Sequence, residues 1–256
     1  MTTPDRWTRT VREQLGLGRL LPLGGPRDGA WVAERAAREV LLAAARGVPG
    51  VRMERLRIGP AAVEQSREPV VPPPPSGLPP GPLRVTADFA ASVAEPLPAA
   101  AGRLRAVLAS AAAHRIGLAV TDIDLRATEL LDAEPEPAAG PAPEPVRGPA
   151  DRPAARREPD DVDAPDDTDD TDEGRAAGAA LAVPGVRELT GMLGRPVLIT
   201  EPDAGQEAAL PRRHVRVELA VGAERPAAEV ARRVRAAVTE ALPDRPTVAV
   251  LVTAIG

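Results

Sequence analysis

The most informative stretch of the sequence runs from Arg213 to Ile255 and reads RHVRVELAVGAERPAAEVARRVRAAVTEALPDRPTVAVLVTAI. Its first part, His214–Val221, alternates apolar and polar side chains, which predicts a half-buried strand. In that strand the valines and Leu219 share the buried face, while Arg216 and Glu218 are expected on the exposed one. Alternation returns near the end, where Val248, Val250 and Val252 predict a second strand.

A helix is predicted between these two strands. Pro226 suits the first turn of a helix, because its missing N–H would have no partner there. Apolar residues recur every fourth position and predict a buried stripe; they are Val230, Val234, Val238 and Ala241. Pro243 is expected to end the helix, and Pro196–Thr200 predicts one further strand before the segment.

The same pattern occurs earlier in the chain. Leu83–Leu125 aligns with Arg213–Ile255 without a gap, and 11 of the 43 aligned residues are identical. The pentapeptide VPGVR also occurs twice, at Val48–Arg52 and at Val183–Arg187. Internal repetition with a shared order of elements indicates a duplicated unit. The predicted fold class is therefore α+β, with two tandem repeats that are each a small sheet covered by helices.

Proline-rich and acidic stretches divide the chain. Residues 133–175 contain 14 acidic and 5 basic residues, so they are predicted to form a disordered linker. Residues 69–82 hold eight prolines and predict an extended loop within the first repeat. In that repeat Asp28 is expected to cap a helix that ends near Arg46. The predicted segments are an amphipathic N-terminus (1–28), the first repeat (29–132), the linker (133–175) and the second repeat (176–256).

The composition excludes several classes of site. There is no cysteine, so disulfides, thiolate metal sites and cysteine nucleophiles are excluded. All 32 basic residues are arginine, which excludes phosphate loops and Schiff bases that need lysine. Outside the acidic linker the positive charge is dilute, so no nucleic-acid partner is expected. No apolar run reaches the length of a membrane span, and the N-terminus does not read as a signal peptide, so a cytoplasmic location is expected.

The second unit resembles the alkaline shock protein family of bacterial envelope-stress proteins. The matching motifs are the Val183-Pro184-Gly185-Val186 turn and the segments HVRVELAVG, AAEVARRVRAAV and TVAVLVTAIG. The resemblance extends more loosely over Gly29–Leu131, as in tandem actinobacterial members that are sometimes labelled nucleopolyhedrovirus fibrous-body-like. It implies a non-enzymatic protein that partners gather at the inner face of the membrane.

Residues able to carry catalysis or bind a metal are sparse. His114 and His214 have no Cys, Asp or Glu at a metal-ligand spacing, so structural or solvated roles are expected for both. Asp122 and Asp124 share one face of a predicted strand, and a solvated face is the favoured interpretation. No catalytic residue, cofactor or metal site is predicted, and the chain is not expected to be an enzyme.

The N-terminus holds the one predicted contact surface. Trp7, Val11 and Leu15 fall on one face of a predicted helix, with Arg6, Arg9 and Arg12 around them. Such a helix can lie on an anionic membrane or bind a partner. It can equally dock on the first repeat, where Trp7 and Trp31 would supply large core side chains.

Together these observations predict a non-enzymatic adaptor or scaffold in bacterial cell-envelope homeostasis, peripheral to the inner face of the membrane through a protein partner. Two alternatives remain open. One is a small-molecule or ion sensor with a crevice between the repeats, and the other is a self-assembling homo-oligomer that pairs exposed strands. If the duplication is correct, residues 175–256 alone are expected to fold cooperatively.

Overall fold

The computed structural model describes residues 18–132, 171–201 and 213–256. In chain order, the elements of the first range are β1 (Leu20–Pro22), β2 (Ala30–Ala33), α1 (Glu34–Ala45), β3 (Val51–Pro60), a 3-10 turn (Val63–Gln65), β4 (Leu83–Ser92), α2 (Leu97–Ser110), a π-helix (Ala111–Ile116) and β5 (Val120–Leu131). Those of the later ranges are α3 (Asp172–Leu181), β6 (Val186–Leu189), β7 (Val197–Thr200), β8 (His214–Val221), α4 (Ala227–Ala241) and β9 (Thr247–Ile255).

The predicted mixture of helices and sheets is confirmed, and the strands form two sheets. The smaller sheet has the order β3-β4-β5, with β3 antiparallel and β5 parallel to β4. The larger sheet has the order β1-β2-β9-β8, and β6 and β7 share the far side of β8. In both sheets a parallel strand pair is joined through a helix, α2 in the smaller sheet and α4 in the larger.

The helix and strands predicted between Arg213 and Ile255 form where the side-chain periodicity places them. Val230, Val234 and Val238 of α4 are fully buried, as the four-residue spacing predicts. Ala241 is exposed instead, because α4 ends at this residue and Leu242 is already extended. Val197–Thr200 forms the additional strand, β7.

Asp28 does not cap a helix as predicted. Its carboxylate accepts a hydrogen bond from the Gly25 N–H at 2.6 Å and so closes a turn. The residues that follow, Ala30–Ala33, form the buried strand β2, and α1 begins only at Glu34. A strand is favoured over a helix here because β2 is paired on both sides, antiparallel with β1 and parallel with β9. A helix at this position would leave both neighbours without their ladder hydrogen bonds.

The two predicted repeats are joined through one sheet and one core. β2, which lies within the range predicted for the first repeat, pairs with β9 of the second. Helix α1 contacts both β3 of the smaller sheet and β9 of the larger one. Buried side chains from both halves form a single hydrophobic cluster. The strands therefore do not separate at the predicted boundaries.

The predicted linker ends earlier than expected. Helix α3 begins at Asp172, and the Thr171 hydroxyl oxygen caps it by accepting the Gly174 N–H at 3.0 Å. Asp172 also pairs with Arg213 at 2.7 Å. Residues 172–175 thus belong to a helix of the second half, because a threonine cap and acidic first turn favour helix initiation. The rest of the predicted linker, 133–170, lies outside the described residues.

The proline-rich loop, 69–82, contains no helix or strand beyond one isolated bridge at Gly77. It packs on the large sheet, where its Leu78 carbonyl accepts the Trp31 indole N–H at 3.0 Å. Trp31 is 1% exposed and is the largest buried side chain described. The loop therefore supplies the cover and the polar partner that a buried tryptophan needs.

The two VPGVR segments adopt the same local structure. Gly50 and Gly185 both have positive φ, 69° and 104°, which glycine adopts without steric cost. The carbonyl of each accepts a hydrogen bond from the end of the neighbouring strand, from Ser92 at 2.8 Å and from Gly222 at 2.9 Å. Each segment then runs into a strand antiparallel to β4 or β8.

The parallel strand pairs also share their register. Ala87 of β4 pairs with Leu125 of β5, and Val217 of β8 pairs with Val250 of β9. Both ladders slip by one residue at the same place, after Phe89 in the first and after Leu219 in the second. The first ladder has one further slip, between Leu83 and Arg84. Equivalent residues are thus 130 positions apart in β4 and β8 but 125 apart in β5 and β9.

This shift differs from the gapless sequence alignment. The first half carries five extra residues between helix and last strand, where α2 continues into the π-helix Ala111–Ile116. α4 has no such extension, since Leu242 after it is extended. The structural equivalents of Asp122 and Asp124 are therefore Thr247 and Ala249.

Candidate functional site

The outer edge of β5, called here the β5 edge (Val120–Leu131), is open. β5 pairs with β4 on one side, and no strand among the described residues pairs with its other side. From Arg126 to Leu130 every residue is exposed. An unpaired strand edge presents backbone donors and acceptors that another strand can satisfy. The β5 edge is accordingly a surface that can bind another chain.

The equivalent edge of β9 is not open. β2 lies along it in parallel, and the Val250 N–H donates to the Gly29 carbonyl at 2.9 Å. Because Val250 and Leu125 hold the same register position, the Leu125 N–H points away from β4, toward the open side. The pairing of β2 with β9 is therefore a structural template for a strand added to the β5 edge.

At each of these two edges, an arginine of the helix that covers the sheet donates a hydrogen bond to a backbone carbonyl. Arg235 of α4 donates to the Arg27 carbonyl, on the segment that leads into β2. Its counterpart 130 positions earlier is Arg105 of α2, whose Nε donates to the Ile123 carbonyl of β5 at 3.3 Å. Arg105 is exposed, so its guanidinium can turn from Ile123 to a carbonyl of an incoming strand.

Charged side chains flank the β5 edge in pairs. Arg84 of β4 lies 3.5 Å from Asp124, and Arg52 of β3 lies 2.6 Å from Glu129. Exposed pairs of this kind contribute little to stability, roughly 0–1 kcal/mol each. They do place charged side chains of both signs beside the edge, which a partner strand must match.

The sequence prediction for Arg216 and Glu218 is wrong, because both side chains are buried. Glu218 is fully buried, and its carboxylate lies 3.0 Å from the Arg216 guanidinium. The segment between β6 and β7 crosses over this face of β8, so that Leu193 donates its N–H to Glu218 at 2.9 Å. The alternating pattern predicted a solvated face because it carries no information about a loop that covers it.

The pKa of Glu218 is expected to make folding stability depend on pH. Burial raises the pKa of this carboxyl, against the opposing effects of the Leu193 N–H and the Arg216 charge. Since the folded-state pKa lies above the unfolded one, the stabilisation is full below the unfolded pKa and is lost as pH rises through the folded value.

We therefore expect the wild type to lose stability relative to Glu218→Gln as pH rises from the ordinary titration range of a glutamate, about 4.3, through the raised pKa of Glu218. Urea unfolding of both proteins at several pH values measures this difference. Glutamine does not titrate, so the variant leaves Arg216 without its counter-charge at every pH and changes the free energy of unfolding by a constant amount. The pH dependence of the difference between the two proteins therefore reports the titration of Glu218 alone. A difference that is flat with pH would contradict the assignment.

The histidines and aspartates singled out in the sequence are dispersed. His214 is partly buried and its Nδ1 lies 2.9 Å from the Thr247 hydroxyl; burial, assisted by the Arg216 charge, lowers the pKa of His214. His114 is exposed on the π-helix. Asp122 and Asp124 lie on β5, and in residues 18–132, 171–201 and 213–256 no three acidic or histidine side chains form a metal-binding group.

The predicted N-terminal contact residues cannot be placed. Trp7, Val11, Leu15 and the arginines Arg6, Arg9 and Arg12 all lie outside the described residues. The β5 edge was missed because openness of a strand is a property of the sheet. The one sequence signal related to this edge is that Arg105 and Arg235 occupy equivalent positions in the repeat alignment.

Two further observations complete the description. No helix in the described part of the chain is long and apolar enough to cross a membrane. Among known proteins, no family model, no curated protein and no solved structure matches this chain.

Proposed function

We propose that this protein is a non-enzymatic adaptor or scaffold in bacterial envelope homeostasis, cytoplasmic and held at the inner face of the membrane by a protein partner. The observation that carries this proposal is the open β5 edge, whose counterpart on β9 already holds a strand. The resemblance of the valine-rich segments to alkaline shock proteins supplies the envelope setting.

We also propose that the two halves are tandem repeats. The shared register and the shared slip in the two parallel ladders support this, as do the equivalent turns at Gly50 and Gly185. In a duplicated unit the outer edges of β5 and β9 would be structurally equivalent. One edge then binds β2 of the same chain, and the other remains free for a partner.

The partner segment is an extended strand added parallel to β5. In this arrangement the Leu125 N–H donates to a partner carbonyl, as Val250 donates to Gly29. Arg105 leaves the Ile123 carbonyl and donates to a carbonyl two residues earlier in the partner, as Arg235 does to Arg27. Backbone pairing gives affinity in such complexes, and side chains at alternate positions give specificity.

The test is membrane fractionation of the tagged chain in its own cells, with Leu125→Pro as the main variant. Proline removes the outward N–H but none of the hydrogen bonds to β4, so the fold should tolerate it. We expect about a tenfold loss of membrane-bound protein. Leu125→Ala is the matched control, because it shortens the same side chain and keeps the N–H.

A second arm removes the N-terminal segment. The deletion must end at residue 17, because deletion to residue 27 would remove β1 and the buried side chains of Leu20, Leu21 and Leu23. Loss of membrane binding in this arm alone would assign the contact to the Trp7 segment. Wild-type pelleting of Leu125→Pro, or a wild type that never pellets, would contradict the proposal.

Self-assembly is the second candidate function, and the charge pattern of β5 favours it. An antiparallel pairing of two β5 strands centred on Leu125 would place Asp124 of each copy opposite Arg126 of the other. Opposite charges facing each other across strands are favourable. Light scattering over a range of concentrations separates the two cases, because a dimer doubles the mass without any added partner.

A further inference from the structure

A cleft of about 450 Å³ opens between α1 and the free edge of β3. Three elements contribute to it: the segment before β1, the first turns of α1, and the middle of β3. Four of its six lining residues are arginines; the lining residues are Arg19, Glu34, Arg38, Arg55, Leu56 and Arg57. The cleft is separate from the β5 edge, which lies at the opposite side of the small sheet.

One of the four arginines is held in place by the carboxylate. Arg19 Nε lies 3.2 Å from Glu34 Oε2, and another guanidinium nitrogen of Arg19 donates to the Ile58 carbonyl at 2.6 Å. The Glu34 side chain is only 16% exposed. The single carboxylate of the cleft is thus engaged with Arg19 and partly shielded.

The other three arginines have no such partner. Arg38, Arg55 and Arg57 are exposed and form no hydrogen bond or ion pair with any residue that the structure describes. Arg55 and Arg57 lie two apart on β3, so their side chains leave the same face of the strand. Three guanidinium groups therefore share one cleft whose single carboxylate, Glu34, is paired with Arg19 instead.

Leu56 lines the cleft but is only 1% exposed, so the arginine side chains supply the accessible donors. A guanidinium offers a planar fork of N–H donors that matches the oxygens of a phosphoryl group, and it stays charged at every relevant pH. Several guanidinium groups in one cleft therefore match the chemistry of a phosphoryl group.

We propose that this arginine cleft binds a phosphoryl group, carried either by a free phosphorylated small molecule or by the headgroup of an anionic lipid. Arg38, Arg55 and Arg57 bind the phosphoryl oxygens, and Glu34 orients Arg19 at the rim. Neither source requires a change in the fold, because the cleft is already open.

The test compares the full chain with a double variant, Arg55→Gln with Arg57→Gln. Its control, Arg46→Gln with Arg115→Gln, removes two exposed arginines that lie outside the cleft and likewise form no pair with a described residue. The two variants therefore have the same net charge. Thermal unfolding checks that both remain folded.

Two probes distinguish the sources. Calorimetric titration with inorganic pyrophosphate reports a free ligand, and co-sedimentation with phosphatidylglycerol vesicles, against phosphatidylcholine alone, reports a lipid headgroup. We expect the cleft variant to lose at least about tenfold in affinity for one probe, and the control to change less than about twofold. If neither probe binds the wild type, or if the control loses as much as the cleft variant, the proposal is wrong.

Discussion

Residues 171–256, expressed alone, are expected to show no cooperative unfolding transition. In the intact chain β2 covers the open side of β9, where Val250 and Leu251 are fully buried. The excised unit would expose that edge together with the face beneath Trp31. It would also lose the Asp28–Arg232 ion pair, in which the atoms lie 3.3 Å apart. A unit of this size is only marginally stable, because a small domain buries a lower fraction of its surface on folding, so we expect this loss to abolish its cooperative unfolding.

This expectation reverses the one drawn from the sequence, and circular dichroism during heating decides between them. The reference is the chain from residue 18 onward, which retains β1 and β2 and should melt in one sharp transition. Starting the fragment at residue 171 preserves the Thr171 cap of α3, so a failure to fold cannot be ascribed to a missing cap. A sharp, reversible melt of the fragment would show that the second half has a core of its own.

Gly117→Val is expected to destabilise the protein by about 3 kcal/mol. Gly117 follows the π-helix with φ of 92°, a conformation that costs a branched residue about 1–2 kcal/mol. A Cβ at this position would also overlap the Ala228 side chain, at the start of α4. Since Ala228 is buried and belongs to the other half of the chain, neither element can move aside freely.

Gly102→Ala is the matched control for this variant. Gly102 lies on the exposed side of α2, where an added Cβ meets no atom within 4 Å. Alanine in a helix interior should stabilise the protein by about 0.5–1 kcal/mol. Denaturant unfolding measures both variants. Equal, small effects at the two positions would mean that the halves are not packed closely at Gly117.

Much of the fold was predictable because it rests on local pattern. The valines of α4 and the alternation of β8 and β9 each repeat within a few residues, and their period alone distinguishes helix from strand. The repeated VPGVR segment marked where both halves turn into their strands. Neither signal depends on what packs against the element.

The environment of each element was not predictable in this way. Ala30–Ala33 reads as the start of an Ala-rich helix, yet it forms a strand because β9, more than two hundred residues later, pairs with it. Arg216 and Glu218 read as solvated, yet the segment around Leu193 buries them. The arginine cleft likewise gathers Arg19, Arg38 and Arg57 from three separate elements.

The amino-acid sequence was therefore sufficient to predict the elements in which the spacing of apolar side chains defines one buried face. These are β8, α4 and β9, and their counterparts in the first half. Only the tertiary structure settled which strand edges are paired, which charges are buried and which arginines meet. The physical reason is that hydrophobic period is a local property of the chain, whereas edge pairing and burial depend on residues that are close in space and distant in sequence.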